Sequence, residues 1–192
     1  GPSIVIADPE YDMAGQAAAG RSFQKLPGTR DEAEAIQKIL NLDSEQVWTG
    51  MDASEERLRE IDSPLILHIA THGQFKKSQE GPGPMMSESL RMDPLLRSGL
   101  ALRGANSGDG EDDGILSAYE MQNLDLFGTE IVILSACSTG VGETEIGESV
   151  AGMKSALVLA GSRTQILSLW RVGDRSTEMI MTQYYTALSQ GE

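Results

Sequence analysis

The chain has 192 residues, 40% of them hydrophobic and 23% charged, the composition of one globular domain large enough to bury its own core. A formal net charge of -14, with Lys76-Lys77 as its one adjacent basic pair, argues against a nucleic acid or an anionic membrane as partner. No apolar run approaches the roughly 20 residues that span a bilayer, and a single cysteine, Cys137, excludes an intrachain disulfide and suits a reducing cytoplasm.

Gly1-Pro2-Ser3 reads as the scar of a cleaved tag, leaving residues 4–192 as a single domain. Ser3 to Ala7 (SIVIA) predicts a buried strand that stops at Asp8-Pro9. The Gly- and Ala-rich stretch from Glu10 to Gly28 reads as a surface loop. Thr29 then caps a helix, TRDEAEAIQKIL, with acids in its first turn and Ala33, Ile36, Ile39 and Leu40 at helical spacing. Gln46 to Thr49 is a weak second strand, and Ser54 caps a short helix, SEERLREI.

Leu65 to Ala70 (LILHIA), bounded by Pro64 and Gly73, has the pattern of a buried parallel strand. Residues 74–114 form a long polar excursion interrupted only by LALRG, a short strand. A loop of that length in a compact domain is usually functional or mobile. Its Met85, Met86 and Met92 suit a partner surface or a lid. Ile131 to Ala136 (IVILSA) is a second buried strand, halted by Cys137-Ser138-Thr139-Gly140. Ser149 to Ala160 is a helix apolar over most of its surface, and therefore well covered. Gln165 to Trp170 (QILSLW) is another strand, and Arg175 to Leu188 the final helix. Strands alternating with helices predict an α/β fold around a mainly parallel sheet, without internal repeats.

Ligands of open α/β sheets bind beyond the carboxyl ends of the strands. Here LILHIATHG ends in His72-Gly73 and IVILSACSTG ends in Cys137, so neighbouring strands would bring both side chains to one rim. A thiol with a pKa near 8.5 is little ionised at neutral pH, and an imidazole within reach takes its proton and later protonates a leaving amine. The amides of Gly73 and Cys137 could form an oxyanion hole. His68, inside the strand, reads as a satisfied core histidine. The bland alternative for Cys137-Ser-Thr-Gly is a turn of small residues.

The stretches LPGTRDEAEAI, LHIATHGQF, LRSGLALRGAN, DGILSAYEMQNLDLFGTEIVILSACSTGVGE, GESVAGMKSALVLAG and ILSLWRVGD resemble the CHAT family, in the same order and over most of the chain. These are caspase-like peptidase domains related to caspases, metacaspases and separase, often attached to tetratricopeptide repeats. The resemblance implies a caspase-like three-layer sandwich of helices on a mainly parallel sheet. It also implies His72 and Cys137 as a catalytic dyad, a protein or peptide substrate, and a bacterial cytoplasmic protease without a cofactor or metal. Its ILSLWxVxD segment resembles the stretch where substrate backbone pairs, placing Ser168, Leu169 and Trp170 along the cleft. Family members usually continue into a further helix and a closing strand. The chain is therefore expected to lack its C-terminal helix and strand, with a repeat domain or a separate C-terminal fragment as possible partner.

Asp174, in a Trp-x-Val-x-Asp pattern, together with Glu178 and with Asp8 at the end of the first strand, would favour Arg or Lys before the scissile bond. A helix cap at Asp174 and a turn aspartate at Asp8 are the bland alternatives, with Leu or Met then preferred. Asp109, Glu111, Asp113, Gly114 and Glu120 match a calcium loop in spacing, but LALRGANSG is no entering helix, and no tight calcium site is expected. GVGETEIG lacks the Lys-Ser/Thr of a phosphate-binding loop and reads as a flexible substrate loop. Two rivals to proteolysis remain: a non-catalytic caspase-like interaction or scaffold module, which would leave Cys137 inert toward an electrophile, and a nucleotide-binding switch, resting on the glycines alone.

Overall fold

A computed structural model of the chain describes residues 1–13, 21–75, 94–107, 112–138, 143–168 and 174–191, with the backbone alone for 137–138, 143–146 and 174. Five parallel strands make the body of the sheet. They are β1 (Ile4–Pro9), β2 (Val47–Gly50), β3 (Ile66–Phe75), β6 (Ile131–Ser138) and β7 (Thr164–Leu167), in the spatial order β2-β1-β3-β6-β7. Two short antiparallel strands, β4 (Ser98–Ala101) and β5 (Ile115–Ser117), complete a seven-stranded sheet. The α/β sandwich with a mainly parallel sheet is the fold the sequence implied.

Alternation along the strands separates two cores. Ile4, Ile6, Leu67, Ile69, Val132 and Leu134 face one side, packed by α2 (Glu55–Arg59), α4 (Ala118–Met121) and α5 (Glu143–Leu159). Val5, Ala7, Ile66, Ala70 and Ile133 face the other, covered by Ala33 and Ile36 of α1 (Pro27–Leu40) and Tyr185 of α6 (Asp174–Gln190). A four-residue helix, α3 (Pro94–Arg97), leads into β4.

Several elements depart from expectation for local reasons. α1 starts at Pro27, not at Thr29: proline has no N–H to leave unpaired and its φ already suits a first turn. Thr29 instead donates its hydroxyl to the Leu26 carbonyl and accepts from the Asp8 amide at 3.1 Å. The acids of α1 consequently fall in its second turn. Ser54 does cap α2, accepting from the Arg57 amide.

β3 runs five residues past Ala70, so His72 and Gly73 lie inside a strand and not at its end. β1 stops pairing at Ala70, and β4 takes up the same edge from Gly73 to Phe75. Of the excursion 74–114, the first two residues belong to β3, α3 precedes the one short strand expected there, β4, and β4 pairs with β5 just beyond it; residues 76–93, with Met85, Met86 and Met92, and 108–111 lie outside the described residues. α5 begins at Glu143, so the second half of GVGETEIG is helix rather than loop. Its Met153, Ala156 and Leu157 are buried, but Val158 and Leu159 are exposed, because α5 is an outer layer with the sheet on one side only. β7 closes at Leu167, short of Trp170.

Candidate active site

The ladder between β3 and β6 is continuous from Ile66 opposite Ile131 to Gly73 opposite Ser138, and it sets His72 directly opposite Cys137. Adjacent strands lie about 4.8 Å apart. Two residues 65 positions apart in sequence thus become immediate neighbours at the carboxyl end of the sheet. Gly73 sits one residue further along, between Leu100 of β4 and Ser138 of β6.

His72 is 7% exposed and held on several sides. Its Nε2 lies 2.8 Å from the carbonyl oxygen of Gln24. A carbonyl only accepts, so the ring carries its proton on Nε2 and leaves the Nδ1 lone pair available. Among the described residues Nδ1 has no partner. The rings of Tyr11 and Phe23 pack on the imidazole with centroids 5.6 Å and 5.5 Å away. Thr71 donates to the Ala101 carbonyl, which leaves its oxygen to accept the Tyr11 hydroxyl at 2.9 Å. The stretch from Glu10 to Gly28 was read as a surface loop. Residues 10–13 and 21–26 are irregular, and they form a strap over His72 that meets the ring through the Gln24 carbonyl and the Tyr11 and Phe23 rings.

His68 is fully buried on the same face of β3, four residues before His72. Its Nε2 is 2.9 Å from Glu32 Oε1 and its Nδ1 is 3.1 Å from the Tyr185 hydroxyl. Glu32, 1% exposed, also accepts from Ser135 Oγ at 3.2 Å. Burial pushes the Tyr185 phenol up, so it stays neutral as a hydrogen-bonding group. Four side chains from α1, β3, β6 and α6 thus meet in one dry polar cluster beneath the level of His72. There His68 Nδ1 is hydrogen-bonded, while Nε2 faces the Glu32 carboxylate at close range without hydrogen-bond geometry.

The remaining predicted positions are placed as follows. Asp8 is buried at the end of β1 with φ 45°, and β1 does neighbour β3. Its carboxylate accepts from Arg30 Nε at 2.8 Å and lies 3.7 Å from Lys25 Nζ. A substrate cation could use Asp8 only by displacing cations of this chain. Ser168 follows β7 and is partly buried. Leu169 and Trp170 lie outside the described residues. Asp174 opens α6, and Glu178 follows it on the same helix.

In the acidic stretch, Asp109 and Glu111 lie outside the described residues, and the acids that follow meet cations of this chain. Asp113 pairs with Arg21 at 2.7 Å; Arg59 bridges Asp112, Glu55 and Glu120. Glu120 also closes a capping box with Ser117. Among the described residues no group of three or more His, Cys, Asp or Glu is arranged to hold a metal. Gly114, at φ 77°, lies so close to the Ala105 backbone that a Cβ would collide with it, and its amide donates to buried Glu55 at 2.6 Å. Burial, then the charge of Glu120, raises the Glu55 carboxyl to about 7, against the pull of Arg59 and the Gly114 amide.

Among the described residues no helix is long and apolar enough to cross a membrane. In comparison with known families, the family model described as the CHAT domain matches residues 1–192. No curated protein and no solved structure matches the chain.

Proposed function

The chain belongs to the CHAT domain family, a caspase-like group, and from that premise we propose that it is a cysteine endopeptidase with Cys137 as nucleophile and His72 as proton-transfer partner. The observation that carries this reading is the register of His72 opposite Cys137 on adjacent parallel strands. In this mechanism Nδ1 of His72 takes the Cys137 proton. The thiolate attacks the peptide carbonyl carbon, and the negative charge on its oxygen is met by the amides of Gly73 and Cys137. The imidazolium then returns the proton to the leaving amine, and water hydrolyses the acyl-enzyme with His72 as base. The Gln24 carbonyl supports each proton transfer: it keeps Nε2 protonated, so Nδ1 is the nitrogen that cycles.

Ser168, Leu169 and Trp170 are the proposed wall for the substrate backbone, and Asp174 the proposed anion for a basic residue before the scissile bond. Control by a fused repeat domain or a partner fragment belongs to the same proposal, as does a cytoplasmic setting.

The test is a pair of variants. Cys137→Ala and His72→Ala should each abolish peptide cleavage in folded protein, and the losses should not add, because the two residues act as one unit. An electrophilic probe should label Cys137 in native protein and lose most of that labelling in His72→Ala. Full cleavage by Cys137→Ala, or labelling seen only after unfolding, would leave the chain as a non-catalytic interaction module.

A further inference from the structure

We propose that Asn106 is a positioning residue for His72, acting through the strap of residues 21–26; the inference rests on the peptidase reading above. His72 owes its tautomer to one backbone carbonyl, that of Gln24, and one of its two aromatic walls to the preceding residue, Phe23. Neither residue belongs to a helix or strand, so something outside the sheet ladder must hold them.

Arg21 and Lys25 are tied by ion pairs to Asp113 and to Asp8 and Glu10, and Phe23 between them is held by the Asn106 side chain, 7% exposed in the turn between β4 and β5. Its Oδ1 accepts from the Phe23 amide at 2.6 Å, and its Nδ2 donates to the Phe23 carbonyl at 2.9 Å. The amide group thereby treats Phe23 as a neighbouring strand would, satisfying both backbone groups of a single residue. The second Nδ2 hydrogen goes to Asp12 Oδ1 at 3.0 Å, beside Tyr11, which supplies the other aromatic wall. The Asn106 amide also donates to the Tyr11 carbonyl at 3.0 Å, and Ser107 Oγ accepts from the Met13 amide at 3.1 Å. The Asn106 side chain therefore fixes the Phe23 half of the wall directly and ties it through Asp12 to the Tyr11 half, without touching the ring.

The chemistry demanded of this position is narrow. Aspartate lacks both donors and would set a second carboxylate against Asp12. Serine offers one donor, and alanine none. Glutamine is one methylene too long for two short bonds to the same backbone residue.

The chain has two histidines, so nitrogen NMR of histidine-labelled protein reads His72 with His68 as an internal control. In the wild type His72 should show a protonated Nε2 and an unprotonated Nδ1. In folded Asn106→Ala the two nitrogen shifts of His72 should converge as the tautomer loses its anchor, while those of His68 stay fixed. Turnover should fall roughly tenfold to a hundredfold with KM little changed, the usual effect of a misplaced catalytic group. The double variant Asn106→Asp/Asp12→Asn reverses donor and acceptor across that contact, and should recover part of both signals. Unchanged His72 shifts in Asn106→Ala would overturn the proposal, as would a loss shared equally by His68. Should Asn106→Ala fail to fold, the double variant decides alone: wild-type turnover with the Phe23 carbonyl left undonated would refute it. Absence of peptidase activity in the wild type would remove the proteolysis reading, and the tautomer measurement would still decide the strap.

Discussion

Replacing His68 with alanine should cost stability far more than it costs chemistry. The side chain is fully buried, and its removal leaves the Glu32 carboxylate, 1% exposed, with the Ser135 hydroxyl at 3.2 Å as its remaining described side-chain donor. It also strands the Tyr185 hydroxyl and removes an edge-on ring contact at 5.6 Å. Breaking one side of a buried pair costs about 3–5 kcal/mol, chiefly through the uncompensated group left behind. At about 2–4 °C per kcal/mol for a domain of this size, His68→Ala should melt roughly 6–20 °C below wild type. Scanning calorimetry measures this, with Glu32→Ala and the double variant completing a cycle. The double variant should be less destabilised than the sum of the singles, since it strands no carboxylate. A melting temperature within about 2 °C of wild type would refute the reasoning. So would a folded His68→Ala that loses turnover as completely as His72→Ala, because the lower histidine would then be part of the chemistry.

Glu55 gives a pH signature. Its folded carboxyl titrates near 7, well above the unfolded value of 4.5, so the folded state holds the extra proton and the stability it confers is lost as pH rises from 4.5 through 7. Glu55→Gln should remove that loss: its melting temperature relative to wild type should climb between pH 5 and 8, and a flat difference would count against the assignment. For specificity, a peptide library should show a preference for Arg or Lys before the scissile bond that collapses in Asp174→Ala. Preference for Leu or Met, unmoved by that substitution, would leave Asp174 as the opening residue of α6 alone. Asp8→Asn should loosen Arg30 and Lys25 and lower stability modestly, with no change of preference.

The fold was legible where burial writes itself into sequence. Apolar runs such as LILHIA and IVILSA, short and bounded by Pro, Gly or other small residues, read as central strands, and those flanking residues marked the end of the sheet to within a few positions. The strand length was not legible. Gly73 looks like a terminator, yet it continues β3 because β4 replaces β1 on the same edge, a fact that depends on a strand pairing 27 residues distant. His72 and Cys137 were readable as reactive residue types following two apolar runs; that His72 lies inside β3 and that the two are in register was not, since both follow from the β3–β6 ladder as a whole. Gln24 was invisible for a different reason. It acts through a backbone carbonyl that any residue possesses, so its side chain carries no signal. Asn106 left a trace only as a polar residue in a turn rich in glycine, and Glu32 was disguised as an ordinary helix acid. One clue was present, though it did not single out Glu32: a histidine in the middle of a buried strand requires a polar partner.

The two histidines occupy the same face of the same strand, four residues and so two pleat repeats apart, and what separates them is the element that covers each. His68 lies under α1 and α6, where regular helices bring a phenol that hydrogen-bonds one ring nitrogen and a carboxylate to 2.9 Å from the other. His72 lies beyond the reach of that helical layer, at the level where β1 has ended and the strap crosses. The strap offers one carbonyl and two aromatic faces, so one nitrogen is fixed and the other is left for a partner. To move a proton a histidine needs one nitrogen held in a fixed tautomer and the other within reach of the reacting group, whereas a ring enclosed by the chain's own side chains on both sides has nothing to exchange with. The irregular segment is thus the part of the fold that distinguishes the two residues. It follows that substitutions at the strap's anchor points should alter His72 selectively, whereas substitutions in α1 or α6 facing the sheet should act first on His68 and on stability.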